Sequence, residues 1–257
     1  MSTSDSGTAS SDLVVSYPVK KVALIRLNRP QVLNALTGDL LTRLGNEIER
    51  IGREPNVRAI VLTGTGRAFS AGGDVRALTK MNEAECREYL SCYVAVHRAI
   101  RDCEVPVIAA LNGYTLGGGV ELACMADVRV VDPEATLCVA DAAIGMVPTG
   151  GLTWALPRLV GHGRARMWTL WNTHLSAADA ATAGLCEVMS DAGASVDKAV
   201  ALGEELGELP RHGLTSIRRA FALAEDLDSA ARTEVDENLA CIKHPETQAA
   251  LAAFLAR

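Results

Sequence analysis

The sequence predicts an α/β fold with a helical C-terminal section, and three observations support this prediction. Short apolar runs of strand length alternate with longer segments of helical periodicity in the first half of the 257-residue chain. After Pro148 the pattern becomes mainly helical. The longest apolar runs, such as residues 105–111, are much shorter than the ~18 residues that span a bilayer. Strands that alternate with helices favour βα crossovers and a layered α/β architecture.

The elements of the first half follow from hydrophobic spacing and from turn residues. A turn at residues 18–21 separates the first two strands, and apolar residues recur every three or four positions in the first helix. A glycine run begins the third helix, which follows a buried strand. The predicted strands are residues 13–17, 22–27, 57–63, 105–111 and 128–131, and the predicted helices are residues 37–53, 83–103 and 117–125.

The second half of the chain is predicted to be helical. Ser176 with Asp179 three residues later is typical of a helix N-cap. No repeat and no low-complexity linker interrupts the chain, so we expect one domain with a helical C-terminal section. A helical appendage that serves oligomerisation would give the same pattern. The predicted helices are residues 163–171, 176–183, 195–208, 214–227, 230–240 and 245–255.

Composition and charge exclude several classes of protein. The chain has 25 Lys and Arg against 31 Asp and Glu, a net charge of −6, so we expect no nucleic-acid or membrane partner. Residues 1–12 are rich in Ser, Thr, Gly and Asp, lack the features of a signal peptide, and are predicted to be a disordered tail. The seven cysteines include no CxxC pair, and scattered reduced thiols in apolar surroundings are typical of a cytoplasmic protein.

Common catalytic and metal-binding motifs are absent from the sequence. Phe69 stands where a dinucleotide fingerprint needs its third glycine, and no Gly-Lys-Ser/Thr follows either glycine run. A GxSxG elbow and an HExxH motif are also missing. The five histidines are spread along the chain, and we interpret each as an isolated surface residue. The sequence therefore argues against nucleotide hydrolysis, serine-hydrolase chemistry and metal catalysis.

Two glycine-containing segments are candidates for substrate binding. Residues 68–75, AFSAGGDV, follow a strand, and residues 112–123, NGYTLGGGVELA, lead into a helix. Glycine lets a backbone N–H approach a ligand closely, and the first N–H groups of a helix are free. Two such turns that face one point would form an oxyanion hole for a carbonyl oxygen. The alternative interpretation is two tight turns that pack closely.

Two acidic residues lie in apolar surroundings near these turns. Glu121 follows the second glycine run in the first turn of the predicted helix, and Asp141 lies in the apolar stretch 137–145. A carboxylate is costly to ionise in apolar surroundings, so its pKa rises towards the range useful in acid–base catalysis. Two carboxyl groups beside a polarised carbonyl would share the acid and base roles. For Glu121 the alternative is a favourable charge at a helix N-terminus.

With these motifs the chain resembles the crotonase superfamily, the enoyl-CoA hydratase/isomerase family, over residues 13–257. The matching segments are Asn28-Arg29-Pro30, Asn34-Ala35-Leu36, AFSAGGDV at 68–75, NGYTLGGGVELACMADVRV at 112–130, and Ile144-Gly145-Met146-Val147-Pro148. The resemblance implies a spiral of ββα units with a C-terminal helical trimerisation region. It also implies a homotrimer or a dimer of trimers, and an acyl-CoA thioester substrate.

The resemblance implies a role for particular residues. Gly73 and Gly118 would donate their backbone N–H groups to the thioester oxygen, and Glu121 and Asp141 would be the two catalytic carboxyl groups. Arg76 would lie near the nucleotide part of coenzyme A, where the family often has lysine. The residues assigned to substrate binding are Gly73, Asp74, Val75, Arg76, Gly118 and Trp154.

The chain departs from the hydratase pattern at two places. Asp141 stands where hydratases carry a second glutamate, and it is one methylene shorter. A displacement of reacting groups near 1 Å costs on the order of 10²-fold in rate when nothing compensates. Thr149 and Leu152 replace glycines, and Trp154 adds bulk, so we expect a differently shaped acyl pocket. The alternative for Trp154 is a helix residue that packs in the core.

The function that the resemblance implies is the syn addition of water to a 2-enoyl-CoA. Isomerisation of a 3-enoyl-CoA to a 2-enoyl-CoA and a non-catalytic acyl-CoA-binding protein are the alternatives. We expect no separate cofactor, because coenzyme A is part of the substrate. The corresponding division of the chain is a tail at 1–12, a ββα spiral core at 13–195, and a helical oligomerisation region at 196–257.

Overall fold

The computed structural model describes residues 11–223 and 227–255. The strands of this part are β1 (Leu13–Val19), β2 (Val22–Leu27), β3 (Ala59–Gly64), β4 (Ala68–Ser70), β5 (Val107–Leu111), β6 (Tyr114–Leu116), β7 (Val128–Val131), β8 (Thr136–Cys138), β9 (His174–Ser176) and β10 (Val188–Met189). The helices are α1 (Gly38–Gly52), α2 (Val75–Leu78), α3 (Glu83–Asp102), α4 (Gly118–Met125), α5 (Leu152–Val160), α6 (His162–Leu170), α7 (Ala177–Thr182), α8 (Ser195–Leu206), α9 (Arg211–Leu223), α10 (Leu227–Lys243) and α11 (Pro245–Leu255), with short 3-10 helices at Pro30–Val32 and Asp141–Ile144.

The larger sheet has six strands in the order β1-β2-β3-β5-β7-β10. Strands β1 and β2 form an antiparallel pair, and the other neighbours are parallel. Alternate residues of one strand face opposite sides of the sheet: Ile60 and Leu62 belong to the main core, whereas Ala59 and Val61 belong to a second, smaller one. Burial of both faces explains why these strands read as continuous apolar runs.

Helices cover both faces of the larger sheet. The main core includes apolar residues of α1 and α3, and the second core includes Ala199 of α8. Local signals set the ends of these helices, since the Thr37 side chain accepts a hydrogen bond from the Leu40 N–H, and Asn82 with Glu85 forms a capping box. Because α8 packs against the sheet, the predicted oligomerisation region beginning at 196 includes a helix that closes the core.

A smaller sheet contains β4, β6, β8 and β9 in that order. The first three strands are parallel, and β9 is antiparallel to β8. Each strand has only three residues. This sheet positions the candidate site, as described below.

The predicted α/β fold is confirmed, and the elements differ from the prediction at particular places. The strands of the smaller sheet, β10 and helix α5 were not predicted. Helix α9 begins at Arg211 and α10 at Leu227, each three residues before the predicted start. Residues 1–10 of the predicted tail lie outside the described residues. Its last two residues do bond to the fold: the Asn28 N–H donates to the Asp12 carbonyl, and Asn28 Nδ2 to the Ser11 carbonyl.

Candidate active site

Three parallel strands of the smaller sheet bring the predicted site residues to one edge. The carboxyl ends of neighbouring parallel strands lie at the same edge of a sheet, where α/β proteins bind ligands. Gly73 follows β4, Gly118 follows β6, and Asp141 follows β8. Residues that are up to 68 positions apart in the sequence therefore meet at one place.

The two glycine turns are in direct contact. Gly72 has a φ of +87°, and a Cβ atom on it would lie 2.7 Å from the Leu116 oxygen and 2.8 Å from the Gly118 nitrogen. Gly117 has a φ of +48° and a ψ of −119°, a conformation that side-chain-bearing residues avoid. The two glycine segments are therefore tight turns that pack closely, as the alternative interpretation of the sequence had it. Such turns are compatible with an oxyanion hole at the same place.

The N–H groups of Gly73 and Gly118 are available to a ligand. Leu36 donates to the Gly72 oxygen at 2.8 Å and accepts from the Asp74 N–H at 3.2 Å, so the Gly73 N–H points away from Leu36. Gly118 is the first residue of α4, and its N–H has no acceptor within the helix. Within residues 11–223 and 227–255, neither N–H donates a hydrogen bond. Both are thus free to bind a carbonyl oxygen.

Two tyrosines of α3 pack on these glycines. A Cβ on Gly73 would lie 2.8 Å from the Tyr89 hydroxyl, and a Cβ on Gly118 would lie 2.6 Å from the Tyr93 hydroxyl. Tyr89 donates to the Leu36 carbonyl at 2.9 Å, and the two hydroxyls lie 3.2 Å apart. Burial is the main cause that raises the pKa of both tyrosines, so both are neutral at ordinary pH. Tyrosine packing is a second reason for glycine at these positions.

Glu121 is fully buried in the first turn of α4. Its Oε1 accepts a hydrogen bond from the Thr149 N–H at 2.6 Å, whereas its Oε2 is buried without a partner among the described residues. Burial raises the pKa of Glu121 to about 8, the negative charge of Asp141 also raises it, and the Thr149 hydrogen bond opposes both. Since Glu121 bonds to another segment, it does more than complement the helix dipole.

Asp141 begins the 3-10 helix Asp141–Ile144. Its Oδ2 is buried and has no partner in the described part of the chain. Burial raises the pKa of Asp141, and its charge raises the pKa of Glu121, so the two carboxyl groups interact. The site thus combines two interacting carboxyl groups, each with one unpartnered oxygen, and two free backbone N–H donors.

His97 was wrongly predicted to be a surface residue. It is 5% exposed on α3, and its Nδ1 hydrogen-bonds to the Gly150 carbonyl. Burial lowers the pKa of His97 to about 4. Tyr89, Tyr93 and His97 are spaced by four residues, which places them on one face of the helix. This spacing is the signal in the sequence that could have predicted that Tyr89, Tyr93 and His97 face the same side of the helix.

The remaining predicted residues lie on α2, at its N-cap and on α5. Asp74 caps α2 by accepting from the Ala77 N–H at 3.1 Å, and Val75 and Arg76 are exposed on that helix. Trp154 is on α5, as expected for a helix residue, but it is 59% exposed and is not part of the core. The Arg158 guanidinium stacks on its ring at 4.1 Å from the centroid.

Residues 11–223 and 227–255 contain no group of three or more His, Cys, Asp or Glu side chains that could hold a metal ion. None of the described helices is long and apolar enough to cross a membrane.

Comparison with known proteins agrees with this fold. The family model of enoyl-CoA hydratase/isomerase matches residues 19–257. The mitochondrial enoyl-CoA hydratase of Pongo abelii is 36% identical over 218 residues, which cover 85% of this chain and 74% of the relative. The crotonyl-CoA hydratase of Syntrophomonas wolfei is 31% identical over 249 residues, which cover 92% of each chain. The crystal structure of an enoyl-CoA hydratase from Bacillus anthracis has a TM-score of 0.91 and 30% identity, covering 96% of each chain.

The fold and the paired glycine turns define a protein of the crotonase superfamily. Within it, the chain belongs to the enoyl-CoA hydratase/isomerase family and is an enzyme of that family.

Proposed function

We propose that the protein is an enoyl-CoA hydratase, which adds water in the syn sense to a 2-enoyl-CoA thioester. One observation carries this proposal: Glu121 Oε2 and Asp141 Oδ2, two buried carboxyl oxygens without a partner in the described part of the chain, belong to the same cluster as the Gly73 and Gly118 N–H groups. Hydration requires an acid, a base and a site for a developing oxyanion, and the groups of this cluster are suited to these three roles.

The two glycines would stabilise the enolate. When water attacks the β-carbon, negative charge moves to the thioester oxygen. Backbone donors aimed at such an oxygen lower the barrier because they need no reorganisation, and one donor is worth about 10²–10³ in rate. The Gly73 and Gly118 N–H groups would make these two hydrogen bonds.

The two carboxyl groups would divide the proton transfers. Burial and the charge of Asp141 favour a protonated Glu121 at neutral pH, and a shared site favours one proton per pair. In hydration, ionised Asp141 would take a proton from the attacking water, and protonated Glu121 would give its proton to the α-carbon. Each turnover leaves Asp141 protonated and Glu121 ionised, so one proton must return to Glu121 before the next turnover.

The acyl-CoA would bind along the strand edge and its flanking helices. We propose substrate contacts for Gly73, Asp74, Val75, Arg76, Gly118 and Trp154. Exposed Arg76 would meet a phosphate of coenzyme A, as a planar cation suited to phosphate oxygens. Coenzyme A enters as part of the substrate, and the proposed reaction uses no other cofactor.

Isomerisation of a 3-enoyl-CoA is the second candidate, and the length of Asp141 favours it. One carboxyl group that moves a proton between two carbons is sufficient for isomerisation, so Glu121 would act alone with the same glycines. A shorter side chain at position 141 would impair only the step that needs water. A protein that binds acyl-CoA without turnover is the remaining alternative.

The proposal is tested by following the loss of enone absorbance when the protein meets crotonyl-CoA or a longer 2-enoyl-CoA. We expect a decay that is first order in enzyme. A parallel assay with a 3-enoyl-CoA measures isomerisation, and calorimetry measures acyl-CoA binding. Binding without decay of either 2-enoyl-CoA would contradict the hydratase assignment, and a 3-enoyl-CoA turnover in that case would support the isomerase.

We also propose that the chain assembles as a homotrimer or a dimer of trimers. Helices α9 and α10 expose large apolar side chains of the kind that subunit contacts bury: Ile217, Phe221, Leu223, Val235, Leu239 and Ile242. Sedimentation equilibrium should give a mass of three or six chains, and a monomer would contradict the assembly. All seven cysteines are free thiols, which supports the proposed cytoplasmic location.

A further inference from the structure

His97 makes a directional contact with the segment that follows Pro148. Its Nδ1 is bonded to the Gly150 carbonyl, which only accepts, so Nδ1 carries the hydrogen and Nε2 does not. Nε2 is buried and without a partner among the described residues. Because burial keeps the pKa of His97 at about 4, the ring donates as a neutral imidazole at ordinary pH.

The same segment holds Glu121. The Thr149 N–H donates to Glu121 Oε1 at 2.6 Å, and Thr149 directly precedes the residue that His97 binds. Gly150 and Gly151 have φ values of +62° and +94°, so the backbone turns sharply there. A Cβ on Gly150 would overlap the His97 ring. Side chains from α3 and α4 therefore bind adjacent residues of one turn.

We propose that His97 is a positioning residue for Glu121, acting through the Gly150 carbonyl and the Thr149 N–H. Held in this way, Oε1 of Glu121 stays bound to the backbone and Oε2 stays free for proton transfer. The catalytic part of this inference rests on the proposed function, whereas the positioning of the carboxyl group does not.

The charges around Glu121 make this contact measurable. The titratable groups that face it are Asp141, Tyr89 and Tyr93, together with Cys124 of its own helix. None of these is a cation, and Asp141 raises the pKa of Glu121. The Thr149 N–H is thus the neighbour that favours the ionised form of Glu121. Displacement of this N–H must raise the pKa of Glu121.

Two substitutions separate the hydrogen bond from the packing. His97→Leu fills part of the same space without a donor. His97→Asn carries an amide nitrogen on Cγ, the place that Nδ1 occupies, and so restores the bond. Infrared spectroscopy of the substrate-free protein would follow the carbonyl stretch of the protonated Glu121 carboxyl group, assigned by its loss in Glu121→Gln.

We expect the Glu121 carboxyl group in His97→Leu to ionise about one pH unit higher than in the wild type, as the loss of one hydrogen bond to a carboxylate predicts. His97→Asn should return it to the wild-type value. An unchanged titration in a folded His97→Leu protein would overturn the proposal. If His97→Leu does not fold, His97→Gln replaces it, because its amide nitrogen lies one bond further out. Identical titrations of His97→Asn and His97→Gln would then overturn the proposal.

Activity gives a second measurement. In His97→Leu the pH dependence of kcat should shift to higher pH, as the Glu121 titration does. KM for the acyl-CoA should change less than twofold. A higher KM with an unchanged kcat and an unchanged pH dependence would contradict a role in proton transfer. The infrared titration needs no substrate, so a protein without hydratase activity still tests the positioning of Glu121.

Discussion

Glu121 has two carboxyl oxygens in different surroundings, and this difference determines its chemistry. One oxygen is bound to the Thr149 N–H, and the other is buried without a partner in the described structure. A buried oxygen without a partner costs about 1–3 kcal/mol, which a structural carboxylate would not retain without a compensating role. The free oxygen therefore supports the proposed role of Glu121 in proton transfer.

Replacement of Glu121 by Gln should abolish turnover and preserve binding. Glutamine keeps the shape of the side chain, but its amide group does not act as an acid or a base at neutral pH. General acid–base catalysis contributes about 10²–10⁴-fold, so we expect a loss of this size in kcat. Acyl-CoA affinity, measured by calorimetry, should change only a few-fold. Undiminished turnover would remove Glu121 from the mechanism.

Replacement of Asp141 by Ala should impair hydration more than isomerisation. Only hydration needs a group that takes a proton from water, and the loss should again be about 10²–10⁴-fold. Asp141→Glu is the control, because it keeps a carboxyl group and should retain hydration. Both reactions are measured on the same preparations with 2-enoyl-CoA and 3-enoyl-CoA. An equal loss of the two activities in Asp141→Ala would contradict the role assigned to Asp141.

At the scale of elements, three-residue strands build the site. Strands β4, β6 and β8 are too short to show the alternation that predicts a strand. Their pairing also joins segments that are distant along the chain. The glycine turns were recognisable from their sequence, whereas the sheet that brings them to Asp141 was not.

Helix α4 depends on glycine at its first residue. Gly118→Ala would put a methyl group 2.6 Å from the Tyr93 hydroxyl, and such overpacking costs about 1–3 kcal/mol. We expect a lower melting temperature and a loss of acyl-CoA turnover, since the proposed oxyanion hole would have to open to fit the methyl group. The matched control is Gly163→Ala in α6, where nothing lies within 4 Å of the added methyl group.

In the control, thermal stability should be unchanged or slightly higher, because Ala favours a helix by up to about 1 kcal/mol over Gly. Equal effects of the two substitutions on turnover would show that the close contact with Tyr93 is unimportant.

At the scale of the whole molecule, the buried Glu121 links stability to pH. Its pKa is about 8 in the folded state, compared with an ordinary value of 4.5 for a glutamate in the unfolded chain. Between these values the folded protein binds more protons than the unfolded chain, so stability falls as the pH rises. Below pH 4.5 Glu121 is protonated in both states, and its burial no longer lowers the stability of the folded protein.

Glu121→Gln removes this cost, and its advantage over the wild type should grow by about 3–4 kcal/mol between pH 5 and pH 8. Urea unfolding at each pH measures the difference. The exposed Glu88 provides the control, and Glu88→Gln should show no such trend. A constant difference between Glu121→Gln and the wild type would contradict the burial of an uncompensated carboxyl group.

The resemblance to the crotonase superfamily selected Gly73 and Gly118 within their glycine segments. The residues by themselves determined the α/β class, most of the larger sheet and its helices, the two glycine segments, and the acidic candidates Glu121 and Asp141. These depend on local properties: hydrophobic period, glycine and the contrast between an acid and its apolar neighbours. Tertiary structure decided that His97 is buried and that Thr149 supplies a hydrogen bond to Glu121.

Tertiary structure also decided that Tyr89 and Tyr93 pack on Gly73 and Gly118, and that α8 closes the second face of the larger sheet. The physical reason is that these contacts join segments distant in the chain. A single residue carries no local signal of the backbone atom it will meet, and that meeting depends on how strands pair and helices pack.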